Sequence, residues 1–128
     1  MEKVLGFIFE QLNTILGIPY EFMEWTDDNI PEQYWVGELS DSTPNTEDGK
    51  ETYTLLLTGT TRARWLNLIN TVDAIKGHFP PVEGLRVDKG NFTIVVNYSN
   101  AFPVPTGEAD LKRMQVNLEI TIWKGIDE

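Results

Sequence analysis

Residues 114–124, Met-Gln-Val-Asn-Leu-Glu-Ile-Thr-Ile-Trp-Lys, constrain the fold of this chain more than any other stretch. Met114, Val116, Leu118, Ile120 and Ile122 alternate with Gln115, Asn117, Glu119 and Thr121. A strict period of two puts apolar residues on one side of an extended strand and polar ones on the other. The chain must therefore contain a sheet that is wet on one face and covered on the other. The covering layer has to come from elsewhere in the sequence.

Two segments have the helical period such a layer needs. In residues 2–16, Val4, Leu5, Ile8, Leu12, Ile15 and Leu16 recur every three or four positions, and Gly17 and Pro19 stop the pattern. Glu2 and Glu10 interrupt the charge and apolar layout of a secretory leader, so this segment is read as a helix of the folded protein. From Thr61, the residues Trp65, Leu68, Ile69, Val72 and Ile75 form a second stripe that closes at Gly77.

The remaining strands follow from alternation and turn chemistry. In PYEFMEW, Tyr20 and Phe22 point one way and Met23 and Trp25 the other; YWVGELS, ETYTLLLT and NFTIVVNY are three further strands. Residues 41–50, DSTPNTEDGK, hold no apolar residue and read as an exposed loop between antiparallel strands. Residues 99–113 read as irregular, exposing Phe102 and Val104 between prolines. The expected fold is a single α+β domain over residues 1–128, in the order α-β-β-β-α-β-β. It has a mostly antiparallel sheet of about five strands, with both helices on one face.

Composition narrows the function. Twenty acidic against ten basic residues give a net charge of −10, which repels nucleic acid and argues against sequence-reading DNA binding. There is no cysteine, so thiol catalysis, disulfides and thiolate metal sites are excluded, as fits a reducing cytoplasm. No run approaches the roughly 18 apolar residues of a membrane span.

TGTTRARWLNLIN, residues 58–70, is the one segment that invites a phosphate site, since it carries a strand into a helix. It lacks the second glycine and the lysine of a phosphate-binding loop. Thr60 or Thr61 as a helix cap, with Gly59 easing the turn, accounts for the same residues. Arg62 and Arg64 are left over near the positive end of a helix dipole, which makes them candidates for gripping a partner's carboxylates. The lone His78 cannot build a zinc site, the acidic clusters lack calcium-loop spacing, and no serine nucleophile motif occurs. No enzyme activity, metal or cofactor is expected. Trp65 and Trp25 fit core positions, whereas Trp35 and Trp123 face away from the apolar stripes of their strands, as interface residues do.

The opening helix, YWVGELS and ETYTLLLTG around an acidic loop, TRARWLNLINTVDAIKGHF, and the closing MQVNLEITIW together resemble the tail-terminator (tail-completion, minor capsid) proteins of long-tailed bacteriophages and prophages. The resemblance spans most of the chain and rests on element order and size. It implies a non-catalytic subunit that assembles into a hexameric ring on the tail tube, meets the tail-tube and head-completion proteins, and resides in the virion after assembly in the bacterial cytoplasm. It also implies an acidic lumen that DNA passes without sticking. On this reading residues 41–50, with Asp41, Glu47 and Asp48, and residues 99–113 contact neighbours, and Arg62, Arg64, Trp35, Trp123, Phe102 and Val104 are the candidate interface residues. The competing reading is an acidic inhibitor, an immunity protein or DNA mimic, which would gather its carboxylates on one continuous face.

Overall fold

The computed structural model describes residues 2–43 and 49–124, with only the backbone described at residues 42 and 43. Six strands form one mixed sheet in the order β1-β2-β3-β6-β5-β4. They are β1 (Tyr20–Phe22), β2 (Gln33–Thr43), β3 (Lys50–Thr61), β4 (Leu85–Asp88), β5 (Phe92–Val104) and β6 (Lys112–Lys124). Two helices accompany them: α1 (Glu2–Phe9), which runs on through a π-helical segment (Glu10–Ile15), and α2 (Trp65–His78).

The alternating strand behaves as its pattern requires. In β6, Met114, Val116, Leu118, Ile120 and Ile122 are buried, and the residues between them are half-buried. Register carries the same face across the sheet, to Tyr53, Leu55 and Leu57 of β3 and to Ile94 and Val96 of β5. These residues form one core with Val4, Phe7, Ile8 and Leu12 of the first helix and Leu68, Val72 and Ile75 of α2. Each such side chain contributes about 1.5–3 kcal/mol when fully buried. The opposite face carries no helix.

Several expectations change. Six strands form rather than about five, because Leu85–Asp88 pairs with β5 at Thr93–Val96. Only Tyr20–Phe22 of PYEFMEW is a strand, and it lies parallel to β2, where antiparallel pairing was expected of strands joined without a helix. The irregular stretch expected over residues 99–113 is mostly sheet. β5 continues to Val104 through a bulge between Tyr98 and Asn100, and β6 begins at Lys112. Pro103 is tolerated there because no strand among the described residues pairs with the outer side of β5 at that level.

Both helical stripes are narrower than their periodicity suggests. Ile15 is 55% exposed although it continues the spacing of Ile8 and Leu12. The π-helical segment, closed by the Leu16 N–H on the Gln11 carbonyl, inserts a residue and rotates the inward phase past Ile15. α2 starts at Trp65, not Thr61. Trp65 and Ile69, expected in the core, are 41% and 42% exposed.

Trp35 is the main correction. It was expected to face outward, yet it is fully buried on the helix-covered face, opposite Gly59. A Cβ at Gly59 would lie 2.4 Å from the indole, so the glycine is the space the ring occupies. Its Nε1–H donates to Gln33 Oε1 at 2.7 Å, and Gln33 in turn donates to the Asn67 carbonyl of α2. The short apolar alternation of YWVGELS concealed this, because the glycine that admits the ring lies 24 residues away on the neighbouring strand.

Candidate assembly surfaces

The face that no helix covers is mostly polar along its two central strands. β3 contributes Thr52, Thr54, Thr58 and Thr60, and β6 contributes Gln115, Asn117 and Thr121. Cross-strand hydrogen bonds tie these groups together. Gln115 donates to the Thr58 hydroxyl at 3.3 Å, Arg113 Nε to Thr60 at 3.4 Å, and Asn117 to Asn100 at 3.0 Å. The charges on this face are mixed: Arg113, Lys50 and Arg86 stand with Glu119, Glu38, Glu21 and Asp88. Trp123 stands at its lower end, half-buried, with Lys50 Nζ and the Arg86 guanidinium each 5.9 Å from its ring. It faces away from the apolar stripe, as its place in the sequence suggested, but two cations cover it.

Phe102 is on the same face, paired with Gln115 and 39% exposed; Val104 is half-buried and pairs with Arg113. Asp41 is exposed near the end of β2. Glu47 and Asp48 lie outside the described residues.

The two arginines separate. Arg62 Nη1 sits 2.8 Å from Asp110 Oδ2 and Nη2 3.7 Å from Glu108 Oε1, so it holds the β5–β6 turn of its own chain. These groups are well exposed, and such pairs contribute at most about 1 kcal/mol. Arg64 has no ion pair among the described residues. It occupies the N-cap position of α2 in an extended conformation, with no side-chain cap. Thr61 does not cap the helix, as had been expected of it or Thr60. It donates to the Glu32 carbonyl at 2.9 Å and accepts from the Ala63 N–H, fastening the strand exit to the β1–β2 connection.

Around this junction lies a pocket of about 450 Å³ bordered by Ile30, Tyr34, Thr60, Arg62 and Leu111. Beside Tyr34 the Trp25 ring packs at 5.5 Å, and its indole N–H is buried without a partner among the described residues. Between the helices, His78 Nε2 meets Gln11 Oε1 at 2.7 Å, and burial lowers the His78 pKa below its ordinary value. The Tyr53 hydroxyl donates to Glu51 at 2.6 Å, which pushes the phenol up to about 12 and, with Lys124 at 3.0 Å, holds the Glu51 carboxyl below its usual range. Among the described residues no group of three or more His, Cys, Asp or Glu side chains is placed to hold a metal ion, and no helix is long and apolar enough to cross a membrane.

Sequence reasoning missed the strand edges. β1 covers β2 only at Trp35–Gly37, and β4 covers β5 only at Thr93–Val96. Residues 38–43 of β2 and 99–104 of β5 have no strand beside them among the described residues. The first proline of PVPT, Pro103, was the available signal, since a proline in a sheet marks an edge.

No protein-family model matches the chain, and no curated protein matches it.

Proposed function

We propose that this chain is a structural subunit that assembles with copies of itself into a ring, acting as a tail terminator of a long-tailed phage or prophage that caps the tail tube and joins it to the head-completion proteins. The observation that carries the reading is the sheet that is helix-covered on one side only and open on the other. Its open side centres on threonine, asparagine and glutamine, and its three cations, Arg113, Lys50 and Arg86, are outnumbered by Glu21, Glu38, Asp88 and Glu119. A wall of that chemistry lets a polyanion pass without holding it, because retention on DNA comes from lysine and arginine contacts to phosphate. The net charge of −10 acts in the same direction.

The spread of carboxylates supports a ring over an acidic inhibitor. Acids stand on α1 (Glu2), in the β1–β2 connection (Asp27, Asp28), on β2 (Glu38), on α2 (Asp73) and in the β5–β6 turn (Asp110), so no single face collects them. An inhibitor that imitates DNA needs one continuous face.

Mass photometry and negative-stain imaging over a range of concentrations test the proposal, alone and with a tail-tube subunit of a long-tailed phage. Closed rings are expected. A chain that remains monomeric at several hundred micromolar, and also in the presence of that subunit, overturns it.

A further inference from the structure

The two open edges lie at opposite corners of the sheet. Trp35 donates its N–H to Pro19 and Gly37 accepts from Met23, so the odd-numbered backbone groups of β2 point outward. By strand alternation Leu39 and Asp41 point the same way, and neither has a partner there among the described residues. On the far side, the Tyr98 N–H points outward to the Phe79 carbonyl. Tyr98 pairs with Leu118, and beyond the bulge Ala101 and Pro103 pair with Val116 and Met114 on the same alternation, so these two point outward in turn. Each window is six residues long, 38–43 and 99–104.

We propose that the β5 edge of one copy takes the β2 edge of a second copy, antiparallel, with Asp41 opposite Ala101 and Leu39 opposite Pro103. The inference rests on the self-assembly part of the ring reading and names the contact that makes it. In this register Asp41 and Ala101 exchange two backbone hydrogen bonds, and the Leu39 N–H donates to the Pro103 carbonyl. The missing N–H of Pro103 removes one further bond and nothing else. β1 of the second copy falls beyond Val104, where β5 has ended. β4 of the first copy, at the level of Thr93–Val96, falls past the end of the second copy's β2. The strands that block each edge are therefore offset, and neither obstructs the pairing.

Charge and side chains favour this pairing over the symmetric ones. A symmetric pairing of two β2 edges centred on Asp41 would set the two Asp41 carboxylates directly opposite each other, and like charges directly across a ladder are destabilising. Two β5 edges together would set prolines against each other and lose donors on both strands. In the mixed pairing Glu38 lies opposite Val104, whose other neighbour is Arg113. That places the carboxylate two strand spacings, about 10 Å between backbones, from a guanidinium that has no carboxylate partner among the described residues, a gap two long side chains span. Apolar groups flank the β5 window on both faces. Phe102 stands on the open face. On the helix side, exposed Trp65 and Ile69 share a stripe of α2 with Lys76, whose Nζ lies 5.3 Å from the Tyr98 ring of β5. A contact that uses different surfaces on the two partners repeats from copy to copy, as a ring requires.

The chain has no native cysteine, so an engineered pair reports the contact directly. Under mild oxidation Asp41→Cys/Ala101→Cys is expected to give a ladder of disulfide-linked dimers, trimers and higher species on a non-reducing gel, while each single variant stays monomeric. Dimers from either single variant at the same yield overturn the proposal in favour of a symmetric contact. Multimers by mass photometry without a ladder overturn this contact and leave the ring reading standing; no multimers at all overturn both. A second measurement guards against misfolding. Glu38→Arg and Arg113→Glu are each expected to weaken association about tenfold, and the double variant to restore it, with unchanged circular dichroism. Failure of the double variant to recover overturns the pairing.

Discussion

Gly59 and Trp35 are the pair on which the packing of the helix-covered face turns. The indole fills the position where any other residue on β3 would place its Cβ, and the ring has nowhere to retreat because it is fully buried and its N–H is held by Gln33. Gly59→Ala should therefore destabilise the fold by about 3 kcal/mol, the upper end of what overpacking costs. A urea midpoint equal to that of the parent protein would contradict the packing. Neither residue announces this in the sequence. Trp35 follows Tyr34 in a strand too short to show its inward face, and Gly59 reads as a turn residue until its strand is seen to run on to Thr61. Arg62 shows the same limit. Its charge was legible as unexplained, but its partners Asp110 and Glu108 are nearly fifty residues further along the chain.

At the scale of elements, α2 begins without a side-chain cap. Arg64 already has the extended backbone of an N-cap residue, φ −102° and ψ 148°, and lacks only an acceptor. Arg64→Asp should stabilise the folded chain by about 1 kcal/mol, through the cap and the helix dipole together. Under the ring reading it should also weaken association between copies. Thermal unfolding and mass photometry on the same preparation separate the two effects, and a rise in stability with unchanged assembly would remove Arg64 from the interface. The contact between the helices gives a pH dependence. Burial lowers the folded His78 pKa below 6.5, so the unfolded chain binds the proton first as pH falls. The stability from the neutral ring is complete above about 6.5 and is lost as pH falls through that value toward the folded pKa. His78→Gln should flatten the urea midpoint between pH 7.5 and 5.5, while the parent protein loses stability over the same interval. The elements themselves were largely legible. Both helices and the long strands follow from periods of 3.6 and two. β4 was not, because its four residues are too few to establish a period, and the direction of β1 is set by the three-residue contact it makes with β2, which no local pattern encodes. The π-helical segment was equally hidden, since spacing alone does not report an inserted residue.

For the whole molecule, the acidic excess and an open face whose carboxylates outnumber its cations make a direct expectation about DNA. Fluorescence anisotropy with a labelled duplex should show no binding up to about 100 µM chain at 0.1 M salt, where even non-specific binders reach Kd values of 10⁻⁴–10⁻⁶ M. Saturable binding in that range would count against a channel wall of this composition. The placement of β1 and β4 at opposite corners has one more consequence. Each guards one end of its own edge, so a copy added to either side must carry its strands in the same sense as the copy before it. The rim formed by Arg64 and the start of α2 would then never be interchangeable with the rim where β2 ends and β3 begins. Such an assembly has a front and a back built into every subunit, and a molecule with two unlike rims can end one polymer on one side while offering a different surface on the other.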